Sequence, residues 1–154
     1  MTPAEICNRK ASYRYEIVER FEAGIVLRGT EVKSVRGGAA QIGEAFVRVG
    51  RDGKPMLFGS CIEAYGHGTD ANHRLERTRE LLFHRSEISR LRAAVERKGF
   101  TIIPLRLYFK GGLVKVEVGL CRGKRTHDRR ESLKKKTVFR EMARELSAAT
   151  GRRR

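Results

Sequence analysis

The chain is 154 residues long and carries 34 Lys and Arg against 18 Asp and Glu, a formal net charge of +16. This length suits one domain around one core and excludes two domains with separate cores. A positive charge of this size attracts polyanions, so nucleic acid is the leading class of partner and an anionic membrane a distant second. No apolar run approaches the roughly 18 residues that span a bilayer. The start of the chain lacks the basic and apolar regions of a secretory signal, so a cytoplasmic location is expected.

The first predicted elements are extended, with one short helix after them. The alternation in residues 13–18 indicates a strand. Residues 21–27 indicate a second extended segment, in which Gly24 marks a bulge or a close approach of another chain segment. The glycine-bounded residues 29–38 fit a short helix with Thr30 as a possible N-cap.

A β-hairpin and a long polar loop follow. Residues 45–49 and 56–62 read as strands on either side of Gly50-Arg51-Asp52-Gly53, a strong turn signal. Residues 65–79 then break every periodic pattern. Long loops in compact domains are commonly functional, so this segment is a candidate binding loop.

The clearest predicted helix comes next. Ser86 can cap its start, Gly99 closes it, and Ile88, Leu91 and Val95 share one face. This face is expected to pack on the core.

Two further strands complete the predicted body. Residues 100–109 are rich in β-forming residues, and Pro104 places this strand at an edge or a bulge. Residues 113–118 alternate more regularly than any other segment. The sequence therefore predicts a mainly β fold of about six antiparallel strands with inserted helices. Closure into a barrel is favoured because it removes exposed strand edges.

Beyond Cys121 the composition changes, so we predict a body of residues 1–121 and a basic C-terminal tail of residues 122–154. The tail holds 13 Lys and Arg against four Asp and Glu, a net charge of +9. Its apolar residues are few, so an independently packed structure is not expected. They could still line one stripe of a helix over residues 131–148: Leu133, Val138, Met142 and Leu146.

The tail is expected to be disordered when free and helical when bound. Repulsion among Lys134, Lys135 and Lys136 weakens an isolated helix, and phosphate partners would turn that repulsion into attraction. A solvated charge run is the commoner explanation of such a segment, but the charge density and the basic body argue against it. Binding to anionic lipid ranks low because the apolar stripe has no Trp and only one Phe.

Several motifs together make the chain resemble the small protein B family, the bacterial SsrA-binding proteins. The family's most distinctive stretch corresponds to residues 21–27 followed by Gly29-Thr30-Glu31-Val32-Lys33-Ser34. Further matches run in order along the chain: Asn8-Arg9-Lys10-Ala11, Asn72-His73 with Arg77 and Arg79, residues 104–110, residues 114–117, Gly123-Lys124, residues 127–131 and Lys134-Lys135. Each motif is short, but their joint order is highly specific.

The resemblance implies a six-stranded oligonucleotide-binding (OB)-like barrel with two or three inserted helices and a flexible basic tail. It implies binding to the tRNA-like domain of transfer-messenger RNA (tmRNA), one protein per RNA, and delivery to stalled ribosomes. The tail would enter the empty message channel and fold as a helix near the decoding centre, against 16S rRNA. Translation would then switch to the RNA's own reading frame and tag the nascent peptide for degradation.

The same resemblance implies two sets of binding residues. The set expected to bind tmRNA is Asn8, Arg9, Lys10, Glu31, Lys33, Ser34, Asn72, His73, Arg77, Arg79 and Lys124. The set expected at the decoding centre and in the message channel is His127, Asp128, Arg129, Arg130, Lys134, Lys135 and Lys136. The family implies no cofactor, no metal and no small-molecule substrate.

Other chemistries find little support in the sequence. Cys61, His67 and His73 match no standard zinc spacing and have no evident fourth ligand. Glu31 and Asp70 could form an acid–base pair, but no nucleophile stands nearby, so an enzyme is not predicted. The alternative to a tmRNA partner is a general ribosome-associated or single-strand RNA-binding protein.

Two groups of side chains have structural predictions of their own. The aromatic residues Tyr65, Tyr108 and Phe109 could stack on bases, although such residues more often belong to a core. The three cysteines are widely spaced without a C-x-x-C pair, which indicates reduced, partly buried thiols.

Overall fold

The computed structural model describes residues 2–67, 72–97 and 99–151, with the backbone alone for residues 126–128, 150 and 151. The chain divides into two compact units, Met1–Gly123 and Lys124–Arg154. In chain order, the first unit contains β1 (Ile6–Cys7), α1 (Ala11–Arg14), β2 (Tyr15–Ile25), α2 (Gly29–Arg36), β3 (Ala40–Gln41), β4 (Phe46–Val49), β5 (Pro55–Phe58), β6 (Cys61–Ile62), β7 (Arg79–Leu82), α3 (Arg85–Glu96), β8 (Phe100–Lys110) and β9 (Leu113–Gly123). The second unit contains α4 (Thr126–Gly151).

Six strands close into a ring, the number and architecture that the sequence predicts, although β7 was not among the predicted strands. The hydrogen-bonded order is β8-β4-β5-β7-β2-β9, and β9 pairs again with β8. Every pair is antiparallel. β1 adds to β8 outside the ring, and β3 and β6 form a separate two-stranded ladder. The mainly β, OB-like barrel with inserted helices is therefore confirmed.

Alternating side chains fill the barrel. Val114, Val116 and Val118 of β9 point inward and are buried, which explains the regular alternation of this strand. Val35 of α2 and Leu91 of α3 have no exposed surface and belong to the same core. The two helices are thus fixed to the barrel by apolar contacts.

The strand irregularities at Pro104 and Gly24 agree with the sequence, whereas the start of the first predicted strand does not. β8 has a bulge between Pro104 and Arg106, as expected for a residue without an N–H group. The two extended segments predicted over residues 13–27 meet in the single strand β2, but residues 13 and 14 belong to α1. The bulge of β2 lies between Ile17 and Glu19. Gly24 marks a close approach, one of its two predicted roles, since a Cβ there would lie 3.3 Å from Cβ of Leu82.

Both predicted helix caps are wrong, for the same physical reason. The backbone N–H of Arg28 donates to Glu31 (2.7 Å) at the start of α2, and the N–H of His84 donates to Glu87 (3.0 Å) at the start of α3. A glutamate at the third helical position satisfies the donor that precedes the helix. Thr30 and Ser86 therefore lie inside the first turns.

The described part of the second unit consists mainly of one long helix, α4. α4 contains 26 residues and includes the predicted segment 131–148. Its apolar side chains are exposed: Leu133, Val138, Phe139, Met142 and Leu146. Among the described residues, no helix is both long and apolar enough to cross a membrane.

Candidate nucleic-acid interface

Glu31 lies at the centre of a buried ion-pair cluster between α2 and the loop before β7. Its carboxylate accepts hydrogen bonds from Nη2 of Arg77 (2.7 Å) and from the Arg28 backbone N–H (2.7 Å). Nη2 of Arg79 lies 2.9 Å from its other oxygen. The side chains of Glu31 and Arg79 are both 0% exposed. A buried carboxylate is stable only with partners of this kind.

Arg79 also holds the loop in shape. Its guanidinium donates to the carbonyls of Ser60 (3.1 Å), Leu75 (3.0 Å) and Arg77 (2.6 Å). One side chain therefore connects β7, the loop before it and the turn between β5 and β6. The five donors of an arginine are well suited to joining several carbonyls.

The electrostatics of this cluster favour the charged pair. Burial alone raises the pKa of the Glu31 carboxyl, but the hydrogen bonds from Arg77 and Arg28 and the charge of Arg79 outweigh it. The pKa of Glu31 is therefore lower than its ordinary value. Burial lowers the pKa of Arg79, yet guanidinium groups titrate so far above neutral pH that Arg79 stays charged.

His73 fixes a second point of the loop on α2. Its Nε2 lies 2.9 Å from the carbonyl oxygen of Ile62, and its Nδ1 lies 2.9 Å from the Thr30 hydroxyl. Because a carbonyl only accepts, Nε2 carries the hydrogen. Both ring nitrogens are thus occupied by protein partners, and the described residues contain no group of side chains arranged to hold a metal ion.

The far end of the loop is closed by Asn72. Its side chain accepts from the backbone N–H of Tyr65 (3.2 Å) and donates to the carbonyl of the same residue (3.1 Å). The ammonium of Lys33 lies 5.2 Å from the centre of the Tyr65 ring, a cation–π contact that joins α2 to the loop. The acid–base pair considered from the sequence includes Asp70, which lies outside the described residues.

The structure thus brings together seven of the residues expected to bind tmRNA, on α2, β7 and the loop between β6 and β7. Lys33 is exposed and Asn72 and Arg77 are half-buried, so these three can meet a ligand directly. The other four are buried and shape the surface from below: Glu31, Ser34, His73 and Arg79. A direct RNA contact by these four does not fit their burial, and a supporting role does.

The N-terminal motif makes different contacts. Asn8 is buried, and its amide donates to the carbonyls of Pro104 (2.9 Å) and Ile42 (3.3 Å), which anchors the motif at the β8 bulge. Arg9 and Lys10 are exposed. Both line an open cavity of about 440 Å³ whose other walls include Cys61 and Glu76. This cavity places the N-terminal motif beside the segments that flank the loop.

The expected tail contacts lie on the second unit. Lys124 precedes α4 and donates to the Ser132 hydroxyl at 2.7 Å. Exposed basic residues of α4 follow at positions Arg129, Arg130, Lys134, Lys135 and Lys136. The side chains of His127 and Asp128 lie outside the described residues. The RNA contacts of both sets remain predictions.

The aromatic residues predicted to stack are neither fully buried nor free. Tyr65, Tyr108 and Phe109 are half-buried. The Tyr108 hydroxyl donates to Glu22; burial and this bond together raise its pKa to about 12. Sequence reasoning missed a different pair, Phe46 and Phe58, whose rings stack with centroids 5.5 Å apart. The hairpin register, which follows from the 50–53 turn, is the signal that could have found it.

A closed, basic barrel of this type with an appended basic helix belongs to the class of nucleic-acid-binding proteins. A family model described as SmpB protein matches residues 5–148. The chain belongs to the SmpB family.

Individual relatives agree over nearly the whole chain. An SsrA-binding protein of Geobacter metallireducens is 51% identical over 142 residues, covering 92% of each chain. One of Chlamydia muridarum is 46% identical over 147 residues, covering 96% of this chain and 94% of the relative. A solved structure described as "tmRNA-SmpB: a journey to the center of the bacterial ribosome" superposes with a TM-score of 0.67 at 43% identity, covering 84% of this chain and 94% of that one.

Proposed function

We propose that this protein is a trans-translation factor, which binds the tRNA-like domain of tmRNA and delivers it to stalled ribosomes. The observation that carries the proposal is the similarity to SsrA-binding proteins over more than nine-tenths of both chains. The protein would act by binding and positioning RNA, without catalysing a reaction. Its site of action would be the cytoplasm, where ribosomes translate, with one copy per tmRNA.

The barrel would choose the RNA through the surface around α2 and its loop. Structured RNA is recognised largely by shape, backbone contacts and stacking. Lys33 and Arg77 offer positive charge there, and Asn72 holds the backbone of Tyr65 at the same surface. The buried Glu31–Arg79 pair would keep these groups at fixed positions before the RNA arrives, which lowers the entropic cost of binding.

The tail would bind in the message channel only when the channel contains no message. The basic side chains of α4, chiefly Arg129, Arg130 and Lys134–Lys136, would bind phosphates of the 16S rRNA that lines the channel. By resemblance, His127 and Asp128 would lie at the decoding centre. We further propose that α4 is largely unfolded in the free protein and becomes helical on the ribosome, which supplies the missing partner charge.

Competition binding tests this proposal. A labelled transcript of the tRNA-like domain is challenged with an excess of unstructured RNA of equal length at matched salt. The proposal expects little displacement. Equal affinity for the two RNAs would instead support a general single-strand RNA-binding protein.

A matched pair of lysine variants assigns any preference to the α2 surface. Lys33→Gln and Lys110→Gln each remove one exposed positive charge from the barrel. Only Lys33→Gln is expected to reduce the preference for the tRNA-like domain. Equal losses from the two variants would indicate attraction by net charge alone.

A further inference from the structure

The solvent-facing side of the β4–β5 hairpin carries a stacked aromatic pair. Phe46 and Phe58 face each other across the two strands, with ring centroids 5.5 Å apart and planes 12° from parallel. The alternate residues Val47 and Leu57 are buried in the barrel, so the two phenylalanines lie on its outer face. Both rings are half-buried.

One ring of this pair is held in place from the side. Phe46 packs against a small outer cluster that contains Ala11 of α1 together with Ile103 and Leu105 of β8. Its orientation is therefore fixed before any ligand binds. A fixed ring loses little conformational entropy when a second flat group stacks on it.

A groove opens beside Phe46 because β4 and β8 barely pair. Their ladder consists of one residue pair, Val47 and Ile102. The resulting space of about 390 Å³ has further aromatic walls in Tyr15 and Phe100, both half-buried. This volume falls in the range of small-ligand sites, about 300–1,000 Å³.

Positive charge surrounds the aromatic surface. The guanidinium of Arg48 lies 5.1 Å from the Phe46 ring centre, and that of Arg122 lies 5.4 Å from the Phe100 ring centre. Arg51 and Lys54 are exposed in the adjoining turn. Across the described ranges, Arg48, Arg51 and Lys54 make no ion pair with a carboxylate; Arg122 pairs with Glu16 at 3.5 Å.

From this arrangement we propose that the aromatic face, defined as Tyr15, Phe46, Phe58 and Phe100 with Arg48, binds an unpaired RNA base. The base stacks on Phe46 inside the groove, and Arg48 contacts its phosphate. Aromatic rings on a sheet beside arginines are the usual platform for unstacked bases. The nearby acid Glu44 is already paired with Lys10 (2.7 Å) and Arg14 (3.1 Å), so it adds little repulsion.

This inference rests on the proposed RNA-binding function but uses a different surface from the α2 loop. The base can come from tmRNA or from the ribosome, since the chemistry is the same. Binding is therefore measured in two arms, to the transcribed tRNA-like domain and to purified small ribosomal subunits. Wild type, Phe46→Leu and Phe46→Tyr are compared at several salt concentrations.

The expected result is a loss confined to the arm that supplies the base. In that arm, Phe46→Leu should lower the binding affinity roughly tenfold, because stacking needs an aromatic ring. Phe46→Tyr keeps a ring and should bind with an affinity close to that of the wild type. The slope of the logarithm of the binding constant against the logarithm of the salt concentration should stay unchanged in Phe46→Leu. Arg48→Gln should reduce the magnitude of that slope by about one, because it removes one phosphate contact. Unfolding of a variant would not lower its affinity in one case and its salt dependence in the other.

Phe83→Leu is the matched control, since Phe83 packs on the main core and does not belong to the lining of the groove beside Phe46. Unchanged affinity of Phe46→Leu in both arms would overturn the inference. So would equal losses in Phe46→Leu and Phe83→Leu. Neither outcome affects the preference for the tRNA-like domain, so failure here is distinct from failure of the proposed function.

Discussion

Nη2 of Arg79 lies 2.9 Å from Oε1 of Glu31, and neither side chain reaches solvent. The pair joins α2 to β7, and Arg79 binds three loop carbonyls as well. A buried pair contributes little net stability compared with an apolar pair of the same shape, but breaking it is costly. Its value lies in fixing one arrangement of helix and loop.

Replacing Glu31 should therefore destabilise the protein strongly. In Glu31→Gln the Arg79 charge stays buried without its counter-ion, which costs about 3–5 kcal/mol. Urea unfolding followed by circular dichroism measures the change in free energy of unfolding. Glu44→Gln, which breaks two exposed pairs with Lys10 and Arg14, is the control and should leave the midpoint nearly unchanged. Equal midpoints for Glu31→Gln and wild type would contradict the buried-pair account.

The same pair predicts a dependence on acid. The pKa of Glu31 is lower in the folded protein than in the unfolded chain, so its stabilisation is complete above the unfolded pKa, about 4.3. It is lost as pH falls through the folded pKa. The gap in unfolding free energy between wild type and Glu31→Gln should thus be constant from pH 7 to about 5 and narrow below about 4. A difference in unfolding free energy that increases on acidification would contradict a lowered pKa of Glu31.

Most of the barrel was predictable because its strands show patterns that lie within single segments, whereas β7 was not predicted. The alternation in β9, the 50–53 turn and Pro104 each have a local physical cause, and each appears where expected. The burial of Glu31 was not predictable, since a glutamate on a short polar helix usually faces water. Its environment is set by Arg79, which lies far along the chain.

The helix caps and the aromatic face were also not predictable, because both depend on contacts between residues that are distant in the sequence. Thr30 is a good N-cap residue, but its hydroxyl is taken by His73, a contact that depends on the fold of the loop. Phe46 and Phe58 look like ordinary strand residues. Their register across the hairpin stacks the two rings, and the weak β4–β8 pairing leaves Phe46 beside an open groove.

The three thiols should differ in reactivity. Burial raises the pKa of Cys121 to about 11, and the side chain has no exposed surface. Cys7 is exposed, although slight burial and the neighbouring Glu5 raise its pKa as well. At pH 8 a disulfide reagent should modify Cys7 first and Cys121 only after unfolding, because the thiolate is the reacting form.

Thiol counting with and without urea checks this order, and Cys7→Ser should remove the fastest phase. Modification of Cys121 in the folded protein at the rate of Cys7 would contradict its burial.

The tail is expected to gain helix when it binds RNA. In α4 the apolar side chains Phe139 and Leu146 are 76% and 71% exposed, so packing supplies little support for the free helix. Phosphates that neutralise Lys134–Lys136 would remove the repulsion opposing it. Circular dichroism of the full chain, with and without small ribosomal subunits, should show increased helix after subtraction. A variant ending at Arg125 is the control and should show no increase in helix content. The absence of an increase in the full chain would contradict folding of the tail on binding.

Removing the tail should separate the two binding steps. The cut belongs after Arg125, because Gly123 still pairs with Tyr15 at the end of β9. Since Met1–Gly123 is a compact unit, the truncated protein should fold and bind the tRNA-like domain with most of its affinity. Tagging of peptides on stalled ribosomes should be lost, because no basic helix remains to enter the message channel. Glu31→Gln, compared where it is still folded, should show the opposite order, with binding to the tRNA-like domain weakened first. Tagging by the truncated protein at the wild-type level would show that the barrel alone senses the stalled ribosome.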